Sequence, residues 1–461
     1  MKRSIKHISV LLLAIMGLFS CQKLDVVSPN DVASEDVFKN GDGLRSGLIG
    51  LYNTLQQRDY YGGYYPLMAD LNSDVAKAGG YDNPALNEIG DHAITPSNVF
   101  GEQMYIAMYK CINTANSILA AVDEVEDPNL DDVERGRIKG EALAIRAMVH
   151  FDLLRMFGYH WDKNSEYGIP VVTTVQGPYD VVERSTVGET YTAIIQDLKE
   201  AETLLDGIEV NQKYMNVLAV KGLLARVYLY SKDNTNAFAY AKEVIDEGSF
   251  SLLDADNFTT IYSGRLSSES IFELAFDAQN PSSFNGTTYA REDAIRSELL
   301  FIASEGLKTF FEDRAGDKRA ALLDFENNDV SILPDGRTQK YRGEEAKDNP
   351  AYILRIAELY LIAAEARGRA GGGLDYINEL RANRGLEDLT LADVPNATVF
   401  LQVLADERLA ELNFEGHRFF DLARWGKIDE VLGVSDQKGV FPIPQRELIA
   451  TQGKVVQNPG F

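Results

Sequence analysis

The sequence predicts a mainly α-helical chain, a scaffold of paired helices carrying long irregular loops and a few short strands. Three observations predict it. Apolar residues recur at helical spacing over long segments on both sides of the chain's middle. Small residues stand where such helices would cross, and two stretches rich in Gly, Asn, Ser and Tyr interrupt the pattern.

The helical reading is clearest in Lys139–Phe157, where Ala142, Ile145, Val149, Leu153 and Met156 form one stripe that must face a core. A helix is expected at Met104–Ala121. Another runs Val187–Leu205, opened by Ser185 and Thr186 with Glu189 in the capping pattern that satisfies first-turn amides. Met215–Ser231 and Thr235–Glu247 follow, joined by a tight polar turn, with Ala219, Gly222, Ala225, Ala237 and Ala241 at the crossing points. Such pairs resemble tetratricopeptide repeats, although no clean 34-residue period is present. The same style returns at Leu354–Arg369, Gly373–Asn383 and Thr398–Trp425, so helices about 99–248 and 350–425 should build one scaffold. Between them 249–349 differs: Ser270–Phe276 alternates like a short strand and Asn280–Thr288 is turn-rich. The stretch 58–98 also reads as loop laid over the helices, and long loops of this kind often carry function.

At the N-terminus, Lys2, Arg3 and Lys6 precede an apolar run from Ile8 to Phe19 that stops at Ser20-Cys21. That is a secretory signal, too short to span a bilayer comfortably, and cleavage before Cys21 with lipid on its thiol is expected. Residues 1–20 are therefore read as signal peptide and 21–461 as a single domain. Only Cys111 then remains besides the lipidated residue, so no intrachain disulfide forms and packing must supply stability. Loss of three basic residues takes the formal charge from −25 to −28. An acidic surface repels phosphate backbones, so no nucleic-acid partner is expected. The 22 tyrosines suit a binder of sugars or peptides, because a flat ring with a polar tip stacks on such ligands, though many will be core.

Catalytic patterns are weak. Glu407, Glu411 and Glu415 lie four apart beside Arg408, Arg418, Asp421 and Arg424. Side chains four apart on a helix sit too close for a glycan to lie between them, and the interleaved arginines would hold them ionised in salt bridges, so the row reads as architecture. His92, His150, His160 and His417 show no metal-ligand spacing, and Gly41-Asp42-Gly43 fails as a calcium loop because Phe38 and Ile49 occupy the first and twelfth positions. No nucleophile elbow, Walker or dinucleotide glycine motif occurs. Neither cofactor nor metal is expected, and no enzymatic activity; an isolated-carboxylate glycosidase is the rival reading.

Several ordered segments carry a family resemblance. They are Cys21-Gln22-Lys23-Leu24-Asp25; Gly140-Glu141-Ala142-Leu143-Ala144-Ile145-Arg146-Ala147 continuing through Phe151-Asp152-Leu153-Leu154-Arg155 and Phe157-Gly158 to Ile169-Pro170; and Arg355 to Leu361 with Ala364-Glu365-Ala366. The strongest is C-terminal: Glu407-Arg408 to Glu411, Phe414-Glu415-Gly416-His417-Arg418, Asp421-Leu422, Arg424-Trp425-Gly426, Phe441-Pro442-Ile443-Pro444 and Gln457-Asn458-Pro459-Gly460-Phe461. In this order the chain resembles the SusD/RagB family of outer-membrane lipoproteins from Cys21 to Phe461. The resemblance implies a tetratricopeptide-like scaffold with a loop-rich ligand face, lipid-anchored at the cell exterior as the lid of a SusC-like TonB-dependent transporter. It implies capture of glycans, or of peptides in the RagB branch, without catalysis.

Family ligand residues vary too much to transfer by motif, and Tyr105 stands where many relatives carry tryptophan. With only Trp161 and Trp425 in the chain, stacking falls to tyrosine and phenylalanine. The first candidates for ligand contact are Tyr60, Tyr61, Tyr64, Tyr65 and Tyr81 with Asp74 and Asn83, followed by Phe284, Asn285, Tyr289 and Arg291 in the second loop region.

Overall fold

The computed structural model describes residues 37–79, 82–177, 179–277, 279–282, 301–325, 336–341 and 348–461. Helices dominate them. Helix α1 (Gly41–Leu55) is followed by α2 (Tyr64–Leu71), strand β1 (Ala76–Ala78), α3 (Pro84–Gly90), α4 (Val99–Ala121) and α5 (Asp132–Phe157). Then come α6 (Val187–Leu205), α7 (Val217–Tyr230), α8 (Asn234–Glu247) and α9 (Thr260–Ser263). The middle holds β2 (Ser270–Leu274), β3 (Phe301–Ala303), α10 (Glu305–Glu312), β4 (Leu323–Asp324), β5 (Arg337–Thr338) and β6 (Ala351–Arg355). The C-terminal part adds α11 (Ile356–Arg367), α12 (Gly373–Ala382), α13 (Ala397–Leu412), α14 (Arg418–Trp425), α15 (Ile428–Leu432) and α16 (Gln445–Ala450).

Sequence neighbours pack against one another, and the pairs stack. Helix α1 lies on α4, α4 on α5, α5 on α6, α6 on α7 and α7 on α8; α11, from the far half of the chain, continues the stack on α8. The expectation that both halves build one tetratricopeptide-like scaffold holds for this reason. Glycines set two crossings. A Cβ at Gly222 in α7 would come within 2.3 Å of Leu354, and one at Gly140 in α5 within 2.9 Å of Leu205 in α6. Helix α6 spans the expected residues because its ends are written locally: Thr186 Oγ1 caps the Glu189 amide while the Glu189 carboxylate takes the Thr186 amide.

Three expectations need correction. The stretch 58–98 is not one loop, since α2, β1 and α3 occupy much of it. Leu354 and Arg355 belong to β6, which pairs antiparallel with β2; every residue of both strands is buried. Thr398–Trp425 breaks into α13 and α14, because Phe414 and Gly416 adopt left-handed φ values of 58° and 74°. A Cβ at Gly416 would come within 2.7 Å of Pro66 in α2, so the break lets the chain pass closely over that helix.

Candidate functional site

The tyrosine run at 60–65 turns inward. Tyr60, Tyr61, Tyr64 and Tyr65 are 0, 6, 4 and 2% exposed. Tyr60 and Tyr61 donate to Asp152 Oδ2 at 2.6 and 2.7 Å, Tyr65 donates to Asp152 Oδ1 at 3.0 Å, and Arg155 Nη2 pairs with the same oxygen at 2.5 Å. The Arg155 guanidinium also lies over Phe151 and Phe420, each 4.7 Å from the ring centre. Tyr64 packs edge-on against Phe100 at 5.0 Å, with Arg58 over its face. Burial raises all four phenols above their ordinary value, so they remain donors. Tyr60, Tyr61 and Tyr65 therefore pin the entry to α2 onto α5 and Tyr64 packs it onto α4, and the expected place of all four on the ligand face is corrected. Gly62 makes the tuck possible: a Cβ there would meet Gln56 O at 2.2 Å. Asp152 and Arg155, charged residues among the apolar side chains of Phe151–Phe157, were the sequence signal that something polar must come in to meet them.

Asp74 and Asn83 are both partly exposed, the first just before β1 in the chain and the second after it. Asp74 accepts two hydrogen bonds from Arg418, Nε and Nη2 each at 2.8 Å, and its backbone carbonyl accepts from Ser304 Oγ at 2.5 Å. Asn83 caps α3, its Oδ1 accepting from the Ala85 and Leu86 amides at 3.0 and 3.3 Å. Strand β1 pairs antiparallel with β3, Lys77 opposite Ile302, and Lys77 Nζ meets Glu305 at 2.8 Å. A 730 Å³ cleft opens between α10 and β4, lined by Phe311, Phe325, Lys308 and Gln339. The structure thus brings Asp74 to a rim formed with α10, α14 and the β1–β3 ribbon. Tyr81, Phe284, Asn285, Tyr289 and Arg291 lie outside the described residues, as does Cys21.

The carboxylate row has no opening to solvent. Glu407 meets Arg314 and Arg319 at 2.6 Å and Arg381 at 2.7 Å. Glu411 meets Arg355 and Arg384 at 2.9 Å, and Glu415 meets Lys340 at 2.6 Å and Arg355 at 2.8 Å. Burial raises the Glu407 carboxyl, but the Arg319 and Arg314 charges outweigh it and hold it at about 2. A group held ionised by three guanidiniums cannot serve as a general acid near neutral pH. The architectural reading stands, with one correction: the cations come from other elements. Arg408 and Arg424 instead hold Asp421, at 2.7 and 2.8 Å, and Arg418 serves Asp74. Among the described residues no group of three or more His, Cys, Asp or Glu side chains is placed to hold a metal.

Residues 24–229 match a SusD-like family described as starch-binding and associating with the outer membrane, and residues 330–441 match the SusD family. The chain belongs to the SusD/RagB family. SusD-like protein P2 of Formosa agariphila is 25% identical to it, over 98% of each chain. A SusD superfamily protein of Bacteroides vulgatus, known from its crystal structure, is 29% identical with a TM-score of 0.79, over 92% of this chain and 99% of that one. A laminarin-binding SusD-like protein is 26% identical with a TM-score of 0.76, over 92% of this chain and 100% of its own. The helical stack, the capped α6 and the buried charge lattice are thus features of a SusD-family member, and no helix among its described residues is long and apolar enough to cross a membrane.

Proposed function

We propose that this SusD-family chain captures glycans at the cell surface without catalysis. In this reading it is held by lipid on Cys21 to the outer face of the outer membrane and hands its ligand to a SusC-like TonB-dependent transporter. The observation that carries the reading is its likeness, across 92% of its length, to a SusD-like protein that binds laminarin. The ligand face would be the rim bearing Asp74 and Asn83, completed by Tyr81, Phe284, Asn285, Tyr289 and Arg291. Two features of that rim suit ligand capture. The Asp74–Arg418 fork fixes its backbone, and the neighbouring cleft carries Phe311 and Phe325 beside Lys308.

The test is an affinity screen of the purified chain against polysaccharides, oligosaccharides and peptides, with product analysis of each mixture. Saturable glycan binding with intact ligand recovered is expected, and Tyr81→Ala should weaken it without shifting the melting temperature. Glycan cleavage that persists through repurification overturns the reading, and binding of peptides alone replaces the glycan by a peptide. Expressed with its transporter, the chain should co-purify with it, and Cys21→Ser should release it from the membrane fraction.

A further inference from the structure

A second cleft lies away from the Asp74 rim, lined by none of the residues that form it. Its volume is 920 Å³, within the ~300–1,000 Å³ usual for small-ligand sites. One wall is the N-terminal half of α4, the second is residues 170–177 with 179–182, and the third is α16 with the turn after it. None of these residues entered the ligand set expected from the sequence.

The second wall is built in an unusual way for a surface segment. Its backbone is held by side chains from the two helices beneath it. Tyr109 donates to Pro170 O at 2.9 Å, and Asn116 donates to the carbonyls of Val172 and Thr174 at 3.1 and 2.9 Å. His150 Nε2 accepts from the Val172 amide at 3.1 Å, and Asn113 Oδ1 accepts from the Gln176 amide at 2.7 Å. Beyond these anchors Tyr179 is 93% exposed and Val181 37%, and Ile106 of α4, 44% exposed, lines the same cleft. Anchoring residues 170–176 removes backbone entropy that ligand binding would otherwise cost along that part of the wall.

The floor carries unused polar capacity. The Tyr105 hydroxyl is buried and finds no hydrogen-bond partner of good geometry, while the adjacent Tyr109 hydroxyl donates to Pro170 O. A buried hydroxyl left without a partner costs about 1–3 kcal/mol, which a ligand hydroxyl would recover. Glu447 projects from α16 at half-burial, and among the described residues no cation pairs with it. Burial alone raises its carboxyl. Lys110 and Lys454 stand at the same cleft with Asp180, so two charges of each sign line it and no net field selects a charged ligand.

We infer that this cleft is a second saccharide-binding site, taking a short stretch of neutral glycan with one ring stacked on Tyr179 and hydroxyls directed to Glu447 and Tyr105. Aromatic planes combined with amide, hydroxyl and carboxylate groups, without a compensating excess of either charge, match a surface whose faces are C–H and whose edges are hydroxyl. The ligand class rests on the capture function proposed above; the location does not.

The experiment titrates the full-length chain, purified in detergent, with a panel of neutral gluco-, manno-, galacto- and xylo-hexasaccharides by calorimetry, comparing wild type with Tyr179→Ala and Glu447→Gln. Both variants should fold, since the ring is in solvent and the carboxylate is unpaired. Two sites per chain are expected for the best hexasaccharide, with each variant weakening one of them by about tenfold and leaving the other unchanged. Loss of all binding in the variants also supports the cleft, and moves the capture site itself there. Wild-type stoichiometry and affinity in both variants overturn the cleft while leaving glycan capture standing. No binding of any hexasaccharide to the wild type overturns both.

Discussion

Two tyrosine-rich regions of this molecule have opposite fates. Around Gly62-Gly63, four tyrosines fold inward and three of their hydroxyls converge on the single carboxylate of Asp152. Around Pro170, Tyr109 fixes a wall, Tyr105 keeps an unpartnered hydroxyl and Tyr179 stands in solvent. The difference teaches that tyrosine density by itself does not report binding. What decides is whether a buried partner waits for the hydroxyl: Asp152 draws the first group into the core, and the second has no equivalent.

The largest effect should come from breaking the closed region at its centre. Asp152→Ala leaves the Arg155 guanidinium buried without an anion and three phenols without an acceptor. A loss of about 3–5 kcal/mol is expected, read by urea denaturation. Retained stability would mean that Asp152 does not organise the cluster. Glu411→Ala should cost less, about 1–3 kcal/mol, because Arg355 and Arg384 lose one carboxylate but both keep Glu269, and Arg355 also keeps Glu415. Glycan affinity per folded molecule should not change in that variant; a specific loss of affinity would return the glutamate row to function.

A second contrast is in pH response. Three histidines lie within the closed interior, and burial is the leading cause that keeps each neutral: His150 is lowered to about 3, with Arg146 adding to the effect, and His160 and His417 fall well below the ordinary value. Below about pH 6.5 the unfolded chain takes up these protons and the folded chain does not. Stability should therefore fall as pH drops from about 6.5 toward 3, by up to about 1.4 kcal/mol per pH unit for each histidine. Asp70 and Glu141, raised by burial, act in the opposite sense over the lower part of that window. Melting temperatures of wild type and His150→Gln from pH 7 to 5 check it: the variant's slope should be shallower, and equal slopes would remove His150 from the account.

How far the sequence reached depends on whether an instruction was local. Helix α6 was legible to its ends because Thr186 and Glu189 sit within one turn of each other, and the β2 strand showed its own alternation. The α13–α14 break was hidden because Phe414, not a glycine, takes the left-handed conformation at its start. The partners of Glu407, Glu411 and Glu415 were hidden because Arg314, Arg319, Arg355 and Arg384 reach them from distant parts of the chain, while the visible neighbours Arg408 and Arg418 serve Asp421 and Asp74. In the ligand set, Asp74 reached a rim, but Tyr60–Tyr65 did not, since their fate was decided by Asp152 some ninety residues on. Tyr179 was missed because nothing in the residues around it set it apart from the chain's other tyrosines.

Between the extremes, single hydroxyls can be removed from the two regions and compared. Tyr65→Phe deletes one of the three donors to Asp152 without changing ring packing against Phe420, 5.9 Å away. Two phenols and Arg155 still serve the carboxylate, so a modest loss of about 1 kcal/mol is expected. Tyr105→Phe removes a hydroxyl that has no protein partner of good geometry, so it should leave the melting temperature unchanged or raise it.

The smallest expected effect on stability is also the most discriminating. Tyr179 is 93% exposed, so Tyr179→Ala should not shift the melting temperature measurably. A clear drop would place the ring among contacts that hold residues 170–177, and the cleft's second wall would then be a structural strap like the 60–65 cluster. An unchanged melting temperature together with weakened hexasaccharide binding separates the two regions fully. The same residue type would then serve as core where a buried carboxylate claims its hydroxyl, and as a ligand platform where the backbone is anchored and the ring is left free.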